Sequence, residues 1–177
     1  MKKQLLTMVF ILCAVCAEAQ VIWNVRAGVG VSNITEEVNF SWTASVGAEI
    51  PVSNNWMFLP SFQYAQKTLD NLYYFDNSSI YLQYKDEAID FLQLPIQMGY
   101  KIRLKELNEL TIKAGPFVAY SMTSLSKRFD FGVDAGIDFI YKHCVVGMDY
   151  QAGFIDYAYP YGPSRSTAAF LTFGYRF

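Results

Sequence analysis

The chain has 177 residues, the size of a single domain. Lys plus Arg number 14 and Asp plus Glu 16, a formal net charge of −2; this near balance excludes a nucleic-acid module built on a basic excess. Hydrophobic residues make up 53%, aromatics 17% and charged residues 17%, which excludes a disordered chain, since such chains are poor in aromatics and rich in charge.

The first segment reads as an export signal. Lys2 and Lys3 give a basic start, Leu5 to Ala17 is an apolar run, and Ala17 and Ala19 are small residues at the two positions that a signal peptidase reads, with cleavage before Gln20. The run is shorter than the roughly 20 apolar residues of a bilayer-spanning helix. A lipoprotein signal is the alternative, but Val15 precedes Cys16 where Gly or Ala is wanted. The expected organisation is a cleaved signal over 1–19 and one domain over 20–177. Cys13 and Cys16 leave with the signal, so Cys144 stands alone and no internal disulfide can form.

From residue 21 onward the period is two. Val21 to Val31 alternates apolar with polar or small residues, and so do Phe40 to Ile50, Trp56 to Tyr64 and Leu92 to Ile102. The second half repeats the pattern at Leu110 to Tyr120, Phe129 to Tyr141, Cys144 to Phe154 and Leu171 to Phe177. These eight runs are each near the 9–11 residues of a tilted transmembrane strand. The connections alternate too. Those at 52–55, 105–109 and 142–143 are short, whereas 34–39, 69–88, 123–127 and 156–166 are mostly longer, as in barrels with short periplasmic turns and long external loops.

The second face of each run separates a membrane barrel from a soluble one. It is rich in glycine (Gly28, Gly30, Gly47, Gly99, Gly115, Gly132, Gly136), which suits a cramped lumen. Its charges are Arg26, Lys67, Lys101, Lys113 and Arg176 against Glu49, Asp130, Asp134, Asp138 and Asp149. The two signs cancel, as an enclosed lumen demands, because an unpaired buried charge is destabilising by several kcal/mol. Trp23, Trp42, Trp56, Tyr100, Tyr120, Tyr141, Tyr150 and Tyr175 are expected to form interfacial girdles. The fold expected is all-β, a closed eight-stranded antiparallel up-and-down transmembrane barrel.

Several stretches resemble the PorT-like outer-membrane β-barrel family. Asp90-Phe91-Leu92-Gln93-Leu94-Pro95-Ile96-Gln97-Met98-Gly99-Tyr100 is similar to its "YLEIPLLLKY" strand, and Lys113-Ala114-Gly115-Pro116-Phe117-Val118-Ala119-Tyr120 to its "AGPY" segment. Arg128-Phe129-Asp130-Phe131-Gly132 with Ala135-Gly136 resembles "FDFG…GAG", and Gly174-Tyr175-Arg176-Phe177 matches the closing "GYRF". Gln63 to Lys67 resembles "YSQKG", with Thr68 in place of the glycine. The resemblance implies a small barrel in the outer membrane of a Gram-negative cell, in a family with one branch tied to protein secretion. These motifs are structural and carry no catalytic residues across.

Four groups of residues stand out as candidates. Phe177 closes the alternation of Leu171, Phe173 and Tyr175, and such a terminal aromatic looks like the signal read by the barrel-assembly machinery. Asp130, Asp134 and Asp138 are too far apart for one metal ion: four residues of strand span about 13 Å at about 3.3 Å each. They are expected to pair separately with Lys or Arg. Tyr73, Tyr74, Tyr81 and Tyr84 fall in a predicted β-hairpin turning near Asp76-Asn77-Ser78, with the run Ile80, Leu82, Tyr84 continuing toward Leu92; Tyr157, Tyr159 and Tyr161 fall in the last loop. Tyrosine-rich loops on a rigid scaffold suit partner recognition, with lipopolysaccharide contact the alternative. His143, the single histidine, is expected in a periplasmic turn, on the opposite side from an outer-rim hydrolase site.

The expected protein is non-enzymatic and needs no cofactor or metal. It displays loops and serves envelope structure, adhesion or secretion, in contact with outer-membrane lipid and lipopolysaccharide, the barrel-assembly machinery and a secretion-system or surface protein. A narrow pore for small solutes is the alternative, followed by a lipid-modifying enzyme.

Overall fold

The computed structural model describes residues 21–32, 39–69, 74–76, 79–81, 87–105, 108–122, 129–156 and 165–177. The elements are all strands: β1 (Ile22–Ser32), β2 (Asn39–Pro51), β3 (Trp56–Leu69), β4 (Tyr74–Asp76), β5 (Ser79–Tyr81), β6 (Glu87–Lys105), β7 (Asn108–Ser121), β8 (Phe129–Tyr141), β9 (Cys144–Asp156) and β10 (Arg165–Arg176). Eight of them close into one antiparallel barrel, in the order β1-β10-β9-β8-β7-β6-β3-β2, with β1 also paired to β2. The barrel strands run from 11 residues in β1 to 19 in β6. Most exceed the 9–11 needed to cross a bilayer, so pairing extends past the apolar belt at one or both ends.

Alternation builds the wall. On β8, Val133 and Ile137 are 47% and 46% exposed, while Asp134 and Asp138, the residue after each, are 3% and 1% exposed. The other barrel strands follow the same rule, with Trp42, Val46, Ile112, Val118, Met148 and Phe173 outward and Thr43, Glu49, Thr111 and Lys113 inward. This inside-out distribution is stable only where the outer surface meets hydrocarbon.

The two ends differ. The short turns, with Ile22 and Phe177, lie at one end and the long connections at the other. At the turn end Lys142 and His143 join β8 to β9, Lys142 taking φ 56°, the positive φ that tight hairpin turns use. His143 Nδ1 lies 2.9 Å from the Arg176 carbonyl oxygen, and its ring stacks on Tyr175.

Aromatics ring both ends. Trp56 meets Tyr100 edge-on at 5.1 Å near the turns; Trp42 lies 4.9 Å from Tyr64, and Tyr120 lies 5.2 Å from Phe129, toward the loops. Tyr150 departs from the girdle expectation. It pairs with Ala135 and Ala169, midway along the wall, because it is the seventh of the thirteen residues of β9.

β4 and β5 form a two-stranded sheet of their own, with Tyr74 opposite Tyr81 and Asp76 opposite Ser79. The register brackets the expected turn at 77–78, which lies outside the described residues, as does the expected continuation through 82–86.

Ile137 sits in the middle of the outward row of β8. Ile137→Arg should lower the unfolding free energy by about 2–4 kcal/mol, read as a lower midpoint in a urea titration of the barrel refolded into lipid vesicles.

Candidate functional site

The lumen gathers the chemistry-bearing side chains, and the strand register explains how they fit. Asp138 faces Gly147 and Asp149 faces Gly136 across the β8–β9 ladder. A Cβ at Gly136 would run into Asp149 Oδ1, one at Gly147 into Asp138 Oδ1, and one at Gly153 into Asp130. These three glycines are therefore spaces left for carboxylates.

At mid-height, Arg26 Nη1 lies 2.7 Å from Asp138 Oδ2, and Lys113 Nζ lies 3.0 Å from Asp138 Oδ1 and 2.7 Å from Asp149 Oδ1. Thr172 donates to Asp149 at 3.3 Å. One lysine thus bridges two acids from β8 and β9, and the arginine arrives from β1. A chain of neutral groups continues across the lumen: Gln151 donates to Asp134 at 2.9 Å and to Gln63 at 3.1 Å, and Gln63 donates to Thr43.

Toward the turns, Arg176 bridges Glu49 at 3.2 Å and Glu109 at 3.0 Å, and Lys101 meets Glu109 at 3.0 Å. Glu109 is a lumen acid that the sequence reading assigned to a turn. It pairs with Arg103 in the ladder two residues inside β7, and parity with Lys113 was the signal for it.

Toward the loops the lumen holds two apolar clusters among buried polar residues. Ile89, Phe91, Phe117 and Ala119 form one buried cluster and Ala65, Ala168 and Phe170 another. This corrects the expectation of a small and polar inner face throughout. Met57, Leu59, Ile140 and Val145 add a second buried apolar set toward the turns. Lys67 is wholly buried in the loop half, its Nζ 3.3 Å from Ser166 Oγ and over the Phe91 and Phe117 rings at 5.7 and 5.3 Å. Asp130 accepts the Ile155 amide.

The three β8 aspartates thus sit at separate levels with different partners. Asp138 has Arg26 and Lys113, as expected of it, while Asp134 is held by an amide, Gln151, rather than by Lys or Arg. Between the layers lies a polar cavity of about 40 Å³, lined among others by Arg26, Gln97, Lys113, Asp134 and Asp149. That is room for one to three water molecules.

The remaining candidates lie elsewhere. Leu171, Phe173, Tyr175 and Phe177 form one exposed outward row on the last strand, and the Phe177 amide donates to Trp23 O at 2.8 Å. Ala17, Ala19, Gln20, Tyr73, Tyr84, Tyr157, Tyr159 and Tyr161 fall outside the described residues.

No family model and no curated protein matches the sequence. Solved structures do. The outer membrane enzyme PagL superposes with a TM-score of 0.61 at 13% identity, over 86% of this chain and 98% of PagL. Neisserial surface protein A gives 0.50 at 12% identity, over 89% and 97%. The chain has the fold of an eight-stranded outer-membrane barrel. Identities this low carry the fold and leave function to the site.

Lys113 neutralises two buried carboxylates. Lys113→Met should destabilise the barrel by about 3–5 kcal/mol in chemical denaturation. Adding Asp149→Asn should recover much of that loss, because Asp138 keeps Arg26 and Asp149 is the acid that loses its only ion-pair partner.

Proposed function

We propose that this chain is a non-enzymatic integral protein of the Gram-negative outer membrane, in which the barrel is a closed scaffold and the long connections are the working surface. The observation that carries this reading is the filled lumen. Apolar clusters occupy its loop half, ion pairs bridge its middle, and Arg176 with Glu49, Glu109 and Lys101 fills its turn end. An eight-stranded barrel packed in this way has no continuous aqueous path. That favours a scaffold over a narrow pore.

The single histidine supports the non-enzymatic side of the reading. His143 is held against the Arg176 carbonyl and Tyr175 in a turn at the end away from the long connections, a stapling role for the last strand. The outward row ending in Phe177 suits recognition by the barrel-assembly machinery, and the exposed belt meets lipid. The tyrosine-rich connections would present aromatic contact area to lipopolysaccharide or to a surface or secretion partner. Within this reading a secretion-associated role is favoured by the PorT-like character of the strands over 90–100, 113–120 and 171–177.

Two experiments test the proposal. In a planar bilayer the purified protein should give no stable unit conductance; reproducible unit steps would replace the scaffold by a pore. A deletion strain, with a complemented control, should lose a set of exported or surface proteins. An unchanged profile would remove the secretion role and leave structure or adhesion.

A further inference from the structure

The barrel wall has a diagonal line of missing rungs. The β2–β3 pairing runs to Gly47↔Ser61 and resumes at Ile50↔Phe58. The β3–β6 pairing stops at Pro60↔Ile96 and resumes at Gln63↔Gln93, and the β6–β7 pairing stops at Pro95↔Phe117 and resumes at Met98↔Ala114. Carried through each lapse, the register sets Pro60 opposite Ala48, Pro95 opposite Ser61 and Pro116 opposite Ile96. Each lapse contains one proline, which has no N–H to give the strand beside it. Pro60 is followed by Ser61 and Pro95 by Ile96, so the lapses step without a break from β2 to β7. In hydrocarbon there is no water to satisfy what they leave open.

The polar cavity lies directly behind the first two lapses. Ala48 and Pro60 belong by parity to the outward rows of Val46 and Phe62, which are 45% and 49% exposed, yet both line the cavity together with Ser61, Pro95 and Gln97. The cavity therefore abuts the wall where the rungs are missing. Its inner lining has one unmet demand. Arg26 and Lys113 are engaged by Asp138 and Asp149, whereas Asp134, 3% exposed, keeps Oδ1 without a hydrogen-bond partner.

We propose that this stretch of wall is a lateral port through which a membrane amphiphile places a primary ammonium head beside Asp134. The unpartnered Asp134 Oδ1 selects a cationic donor. The cavity volume admits a head the size of one or two waters and leaves the chain outside, against Val46, Pro60 and Phe62. The proposal rests on the barrel's lying in a bilayer, which insertion of the refolded protein into nanodiscs scores first and separately.

The test uses the full mature barrel in phospholipid nanodiscs, with dodecylamine, dodecanol and ethylamine as probes at low mole fraction and the thermal unfolding midpoint as readout. Dodecylamine should raise the midpoint saturably, with an apparent affinity at least about ten-fold above that of dodecanol, a gap of about 1.4 kcal/mol. Asp134→Asn should abolish the difference. Pro60→Ala with Pro95→Ala, which restores two N–H groups, should weaken it. Equal shifts from dodecylamine and dodecanol, or an equal shift from ethylamine, would overturn the port. Should Asp134→Asn fail to refold, a labelling test stands in its place. Ser61→Cys in a Cys144→Ser background should react with a membrane-partitioned maleimide faster than Thr111→Cys, a lumen position away from the lapses, and equal rates would overturn the proposal.

Discussion

Closure of β1 on β10 is the constraint from which the rest follows. A sheet whose outer face is Val, Ile, Phe, Trp and Tyr belongs in hydrocarbon, where a free strand edge has nothing to bond to. The first and last strands must therefore find each other, and they pair from Asn24↔Arg176 to Ser32↔Ala168. Once eight strands close, the interior is fixed at a width that side chains can fill. The contents of that interior are then decided by volume and charge together.

The volume problem is met by facing small residues with large ones. Glycine stands where an aspartate needs room, and aromatic rings fill the loop half where the facing positions are Ala65, Ala119 and Ala168. The charge problem is met by sharing. Lys113 serves two acids, and so does Arg176. In a medium of low dielectric an ion pair balances its desolvation only when its geometry is good and the remaining lone pairs are occupied, and Thr172 supplies part of that occupation at Asp149.

Strand number, the inside-out faces and the lumen charges were legible because a period of two survives any context in which one face is buried. What escaped had physical reasons. Phe91 and Phe117 share the inward parity of Gln93 and Thr111, but a large apolar residue next to an outward apolar row blurs the alternation. Glu109 looked like turn composition because strand ends are set by pairing with a neighbour, here Arg103 and Ile140, which a single sequence does not reveal. Tyr150 read as a girdle residue because an aromatic in an outward row carries no mark of its depth in the bilayer. The prolines at 60, 95 and 116 were visible as letters, but their alignment across four strands exists only in the assembled wall.

The ion pairs also record the order in which the molecule can be finished. Arg26 is on the first strand and its partner Asp138 on the eighth element; Arg176 is near the last residue and its partner Glu49 is on β2. Both contacts reach across the seam between the two ends of the chain. Until that seam joins, Arg26 and Glu49 lack their ion-pair partners, and an open sheet carrying them is held out of the lipid. Joining the seam removes four charges from water in one event. The clasp thus acts as a completion check: a partly zipped barrel is electrostatically unfit for the bilayer, and a finished one is hard to unzip from either end.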